Sequence, residues 1–207
     1  MNFKVSQFLL LSLSLSGCVS NTDWSNKTWN VSTSGTSQFD DTNYIRLSNV
    51  RCQEVEFELY QSTQQSKRGV VRLKAGSRSI TNIRDGESLL IKLDDKTYTF
   101  TSLDSTTEYA TNYFPLGVTS PFSRKGYIVP ESFVRTVASS NVFLSKMYLL
   151  NNTYIEGKCS EFTLQETREL YKHLKVEFKQ EDIDMANNVT ALKGFRKFVK
   201  LMDSTKW

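Results

Sequence analysis

Three apolar residues, Val55, Phe57 and Leu59, alternate with three carboxylates, Glu54, Glu56 and Glu58. A period of two sends the two sets to opposite faces, the pattern of a half-buried antiparallel strand. Downstream, short runs are separated by pairs of turn-forming residues. Residues 70–75 and 78–84 flank Gly76-Ser77, which suits a type II′ hairpin. Residues 78–84 and 87–93 flank Asp85-Gly86, a strong two-residue hairpin signal, and Asp94-Asp95 turns 87–93 into 96–101. Two-residue turns would pair Leu73 with Ile80, Ile80 with Ile91, and Ile91 with Tyr98. They would also pair Val71 with Asn82, Asn82 with Leu89, and Leu89 with Phe100. Apart from Asn82, one face is apolar across all four runs, and a one-residue slip would turn that face outward. The expectation is an antiparallel meander of about five strands.

The rest of the chain adds helices. Its 207 residues, 39% hydrophobic and 23% charged, suffice for one domain with a real core. Residues 104–126 read as a long irregular loop carrying Pro115, Pro121, Tyr109, Tyr113, Phe114 and Phe122. Tyr109, Tyr113, Phe114 and Phe122 are a candidate binding loop, or alternatively a cover for the open end of the sheet. Pro130 suits a first helical turn, and Phe133, Val134, Val137 and Ala138 give a helical stripe. Asn151-Asn152 joins runs 142–150 and 153–159 as a hairpin. Thr163-Leu164-Gln165-Glu166 matches a capping box, after which Leu164, Thr167, Leu170, Tyr171, Leu174 and Phe178 share a helical face. Residues 182–202 read as one amphipathic helix with Leu192, Phe195, Phe198, Val199 and Met202 on the apolar arc. Lys193, Arg196, Lys197 and Lys200 lie beside that arc, either as a solvated edge or as a contact for an anionic surface. The fold class read from the sequence is α+β: the meander, a helix–β-hairpin–helix unit, and a C-terminal amphipathic helix.

The first twenty residues bear on location. Asn2 and Lys4 precede an apolar run over residues 5–15, long enough for a signal-peptide core and too short to span a bilayer. The run ends in Leu15-Ser16-Gly17-Cys18, which resembles the lipobox of bacterial lipoproteins. The resemblance covers residues 1–18. It implies that residues 1–17 are removed as a signal peptide and that Cys18 carries the lipid. Two or three acyl chains, at ~0.8 kcal/mol per buried CH2, anchor a protein stably where one chain is marginal. Residue 19 is Val rather than the Asp that retains such proteins in the inner membrane, which favours the outer membrane. Export also changes the reading of the other cysteines. Cys52 and Cys159 enter an oxidising compartment as an even pair, so either one intrachain bridge forms or two thiols stay free or redox-active.

Residues 18–43 read as a lipidated N-terminus and polar tether. Fourteen of the 25 residues in 19–43 are Ser, Thr or Asn, with no apolar periodicity. Extended, that stretch would reach roughly 80–90 Å at ~3.3–3.6 Å per residue. Trp24 and Trp29 interrupt it; packing on the domain, sitting at a lipid interface and docking a partner are all open to them. The expected division is thus tether to residue 43, α+β domain over 44–180, and basic helix over 181–207.

Motifs for chemistry are scarce. The chain has no G-x-S-x-G, H-E-x-x-H, S-x-x-K or phosphate-cradling glycine loop. His173, its one histidine, falls opposite the apolar face of its helix. Asp40-Asp41, Asp94-Asp95, Glu181, Asp182 and Asp184 suit linkers, turns and a helix start. The sequence implies no cofactor, no metal and no nucleic acid. The expected function is a non-catalytic, lipid-anchored cell-envelope protein that binds or helps assemble a protein partner at the outer membrane. A binding module for peptidoglycan, glycan or lipid is the first alternative. A carboxylate-dependent envelope hydrolase, needing two acids in one cleft, is the second.

Overall fold

The computed structural model describes residues 29–113, 119–174, 177–205 and 207. The lipobox, Cys18, Trp24 and Phe114 lie outside the described residues. Among the described residues ten strands form two antiparallel sheets. The first has six strands in the order β1-β2-β3-β4-β8-β7, with β1 Val31–Thr36, β2 Asn43–Cys52, β3 Val55–Ser62, β4 Val70–Ser77, β7 Glu108–Tyr113 and β8 Thr119–Pro130. The second has four in the order β10-β9-β5-β6, with β5 Glu87–Leu93, β6 Lys96–Thr101, β9 Phe143–Tyr148 and β10 Tyr154–Lys158. Five helices accompany them among the described residues: α1 Thr63–Lys67, α2 Glu131–Ser139, α3 Leu164–Leu170, α4 Gln180–Asn187 and α5 Ala191–Ser204. The fold is α+β, with larger sheets than the expected meander.

One core joins both sheets. Val55, Phe57 and Leu59 point inward as the alternation requires, and Phe57 stacks on Phe143 of β9 at 5.9 Å between ring centroids. Phe195 of α5 meets Phe57 and Phe143 edge-on at 6.0 and 5.3 Å. Phe133 of α2 packs against Tyr98 and Phe100 of β6 at 5.0 and 4.7 Å. A Cys52–Cys159 disulfide ties the end of β2 to the residue after β10, with Cα atoms 4.3 Å apart. The bridge alternative is therefore the one realised.

The meander is corrected in its first half. Leu89 faces Phe100 and Ile91 faces Tyr98, so the Asp94-Asp95 hairpin has the expected register. Residues 78–84 form no strand, and Ile80 is 76% exposed. The strand continues through Gly76-Ser77, where Gly76 pairs with Arg124 and Ser77 with Ser123 of β8. A Cβ at Gly76 would lie 2.1 Å from the Ser123 carbonyl oxygen. This glycine thus serves close strand approach, not a turn. The chain then crosses between sheets, held by Ser123, whose hydroxyl accepts from Thr81 N–H and donates to the Ser79 carbonyl.

Residues 104–126 are largely sheet instead of loop. β7 and β8 make an antiparallel hairpin running from Glu108↔Arg124 to Tyr113↔Thr119. Pro121 pairs with Thr111 of β7 and precedes the β4 pairing, which begins at Ser123, so its missing N–H removes no bond to β4.

Residues 31–36 are strand, so the expected tether does not run unbroken to residue 43. Val31–Thr36 pairs with β2 along its whole length, and polar residues suffice there because it is an edge strand. Trp29 is buried beneath the guanidinium groups of Arg51 and Arg78, 5.3 and 4.3 Å from its ring. Asn30 N–H donates to the Asn49 carbonyl, and its side-chain amide donates to the Thr190 carbonyl. Packing on the domain is thus the reading realised at Trp29.

The expected helix over 182–202 is two helices, α4 and α5, interrupted at 188–190. Thr190 makes a backbone bridge to Arg51, and Leu192 N–H donates to the Cys159 carbonyl. These contacts fix the start of α5 to the sheets. Leu192, Phe195, Phe198 and Met202 are buried in the shared core, so a domain boundary at 180/181 does not exist in the packing. The Thr163–Glu166 capping box forms, but α3 ends at Leu170 and gives way to a short 3-10 turn over Lys172–Leu174. No described helix is long and apolar enough to cross a membrane.

Candidate functional site

The outward positions of four neighbouring strands converge on one cavity of about 810 Å³. Alternation along each strand sets which residues face it: Tyr44 and Arg46 on β2, Glu58 and Tyr60 on β3, Arg72 and Lys74 on β4, Arg124 on β8. Register then sets their neighbours. Arg46 lies opposite Tyr60, Tyr60 opposite Arg72, and Glu58 opposite Lys74. The β1–β2 connection walls one side, where the Phe39 side chain is fully exposed.

The floor is both aromatic and charged. The Tyr44 and Tyr60 rings stack at 5.9 Å with 23° between their planes. Arg46 donates to Glu58 at 2.7 Å, and Arg124 approaches the same carboxylate at 3.8 Å. Glu108 of β7 receives both Arg124 and, at 2.9 Å, Lys74. The Arg124 hydrogen bond holds the Glu108 carboxyl at about 2, far below its ordinary 4.5, against the opposing effect of partial burial. The Nε of Arg124 is buried without a hydrogen-bond partner among the described residues. Arg72 is exposed and, among the described residues, has no ion pair or hydrogen bond. Four cations therefore face two carboxylates.

The residues singled out from the sequence are not brought together. Tyr109 stands on β7, 52% exposed, with its hydroxyl donating to Asn82. Phe122 is only 7% exposed and has the Arg124 guanidinium 5.9 Å from its ring, so it is not a surface contact. Tyr113 ends β7. Three of the four α5 cations have partners within the chain. Lys193 donates to Asn188 at 2.9 Å. Arg196 donates to the Ala138 carbonyl at 3.0 Å, and Lys197 to the Asn30 carbonyl at 2.8 Å. Lys200 is exposed. His173 is exposed, and Asp94 accepts from the Asn141 and Val142 amides of the neighbouring segment. Among the described residues no three His, Cys, Asp or Glu side chains cluster as a metal site would require.

The cavity residues escaped the sequence reading for a definite reason. Period-two alternation marks each of them as outward-facing, but only strand order makes them neighbours. β4 and β8 pair across more than forty intervening residues, and no local signal encodes that. A second, apolar pocket of about 430 Å³ lies between α3 and α4, lined by Phe162, Leu170, Tyr171, Phe178 and Ile183.

No family model matches the chain, and no curated protein is similar to it in sequence. Among solved structures, it is similar to invasion associated protein b from Bartonella henselae at 9% identity, covering 71% of this chain and 93% of that one. The TM-score of 0.35 is too low for that likeness to carry fold or function across.

Proposed function

We propose that this chain is a non-catalytic, lipid-anchored cell-envelope binding protein whose ligand site is the outer face of the six-stranded sheet. The observation that carries the reading is the cavity, where stacked Tyr44 and Tyr60 lie among Arg46, Arg72, Lys74 and Arg124. Binding sites combine an apolar surface with a few placed polar groups, and this face has both on rigid strands. Hydrolysis is disfavoured at the same place. A proton donor needs a carboxyl pKa raised toward neutrality, whereas Glu108 is held at about 2 by Arg124. The anchor is Cys18, on the strength of the lipobox resemblance, and the outer membrane is the proposed location. Nucleic acid has no place in this reading. A second reading, a protein partner held at the envelope, draws on the apolar pocket beside exposed Leu170 and Tyr171.

Two measurements test the proposal. Full-length protein in detergent is sedimented with insoluble envelope polymers. The native chain should co-sediment and a Tyr60→Ala/Arg72→Glu double variant should stay in the supernatant; equal sedimentation of both refutes this face as the site. Replacing Cys18 by Ser should move the protein from the membrane to the soluble fraction, and continued retention through detergent-free washing would refute the anchor.

A further inference from the structure

We propose that the cavity on the six-stranded sheet binds acidic saccharides, that is, sugar rings bearing carboxylates. The inference rests on the reading of that face as the ligand site and adds the chemistry it selects. Charge comes first. Glu58 and Glu108 are already engaged by Arg46, Arg124 and Lys74, while Arg72 presents an exposed guanidinium with no partner among the described residues. An incoming carboxylate meets planar, two-pronged hydrogen-bond donors on a face with surplus positive charge.

Geometry supplies the second half. Arg46, Tyr60 and Arg72 form one row across three adjacent strands. At ~4.7–4.9 Å between strands, the two arginine backbones stand roughly 10 Å apart with an aromatic ring between them. Tyr44 stacks on Tyr60 at 5.9 Å, so the pair stands as one aromatic platform beside the arginines. A pyranose ring offers a flat face of C–H groups to such a platform, and a uronic acid adds a carboxylate fixed at the ring's edge. An acidic peptide carries carboxylates on flexible arms without a rigid apolar face. Phosphate has no use for the rings, and a neutral sugar has no use for Arg72.

The opposite sheet provides an internal contrast. Its smaller cavity contains Lys92, Lys146 and Lys158, with Glu156 as counter-ion. There the nearby rings are already covered: the Lys146 ammonium lies 4.1 Å from the Tyr154 ring, and the Arg84 guanidinium 4.5 Å from Tyr148. Among the described residues no cation covers Tyr44 or Tyr60. On the six-stranded sheet the two rings instead stack on each other.

The test is calorimetric titration of the full-length protein in detergent with four probes: oligogalacturonate, a neutral malto-oligosaccharide of equal length, oligoglutamate and inorganic phosphate. Oligogalacturonate should bind, more weakly as salt rises. Arg72→Gln should weaken it at least about tenfold, as loss of a charge-assisted hydrogen bond does, with Arg72→Lys recovering part of the affinity. Tyr60→Ala should weaken it comparably, and Lys146→Gln on the other sheet should change nothing. Thermal melts confirm that the variants fold. Equal binding of the neutral sugar, or Arg72-dependent binding of oligoglutamate or phosphate instead, overturns the ligand class and leaves the face as the site. No binding of any probe, with the envelope sedimentation still abolished in the double variant, also overturns the ligand class alone. No binding together with unchanged sedimentation overturns both.

Discussion

Glu56 belongs to the solvent face by alternation, yet its carboxylate is nearly buried, accepting from the Arg78 Nε at 2.7 Å. Arg78 also covers Trp29, so one guanidinium both neutralises a buried charge and packs on an aromatic ring. Removing one partner of such a pair strands the other. Arg78→Met should therefore cost about 3 kcal/mol in urea unfolding, and a loss within error would show that Glu56 is adequately solvated. Ion pairing also sets the acid limb. The carboxyls of Glu108 and Glu166 are both depressed to about 2 from 4.5, by Arg124 and Lys158 respectively. Each therefore contributes stability that is complete above about pH 4.5 and is lost as pH falls toward 2. Both side chains are about half exposed, so solvent screening keeps each contribution small. Glu108→Gln/Glu166→Gln should flatten the stability profile between pH 4.5 and 2, measured by urea melts, and an unchanged slope would contradict the pairing. The opposite limb involves Tyr127, buried and pushed up to about 12 despite its hydrogen bond with Ser88. Its contribution is complete below pH 10 and lost as pH rises toward 12.

At the level of elements, α5 is the piece that completes the core. Phe195 closes the aromatic triangle with Phe57 and Phe143, so Phe195→Ala should destabilise by about 3–5 kcal/mol. A loss below 1 kcal/mol in chemical unfolding would mean that α5 merely leans on the sheets. The same helix shows what the sequence made legible. Its apolar arc was plain, as were the Thr163 capping box and the β5–β6 register, because each depends on residues a few positions apart. The cationic edge was equally plain, but its acceptors are backbone carbonyls of Asn30 and Ala138, more than fifty residues away. Gly76 and Pro121 misled for a related reason. Both residue types mark turns locally, and both are admitted here to strands by a partner remote in sequence. The candidate site suffered most, since it consists wholly of outward residues from strands whose order is non-local.

Over the whole molecule, the Cys52–Cys159 bridge closes a separation of 107 residues and joins the two sheets. On the chain-entropy account it contributes up to about 4.7 kcal/mol, so a Cys52→Ala/Cys159→Ala variant should lose most of that in denaturant unfolding. The close fit around it extends to Gly157, where a Cβ would fall 2.3 Å from the Cys52 carbonyl oxygen. With the fold beginning no later than Trp29, only ten residues lie between it and the proposed anchor at Cys18. At ~3.3–3.6 Å per residue the proposed anchor would hold Trp29 within roughly 40 Å of the bilayer, about half the reach that a tether to residue 43 would allow. If Cys18 carries the proposed lipid, the cationic and aromatic face would be placed to capture anionic envelope material near the surface. The most direct test of that account is tyrosine footprinting by mass spectrometry on the full-length protein, with and without envelope polymer. Labelling of Tyr44 and Tyr60 should fall while Tyr154 on the opposite sheet and Tyr171 beside the apolar pocket keep theirs. Shielding of Tyr154 or Tyr171 with Tyr44 and Tyr60 unchanged would contradict it.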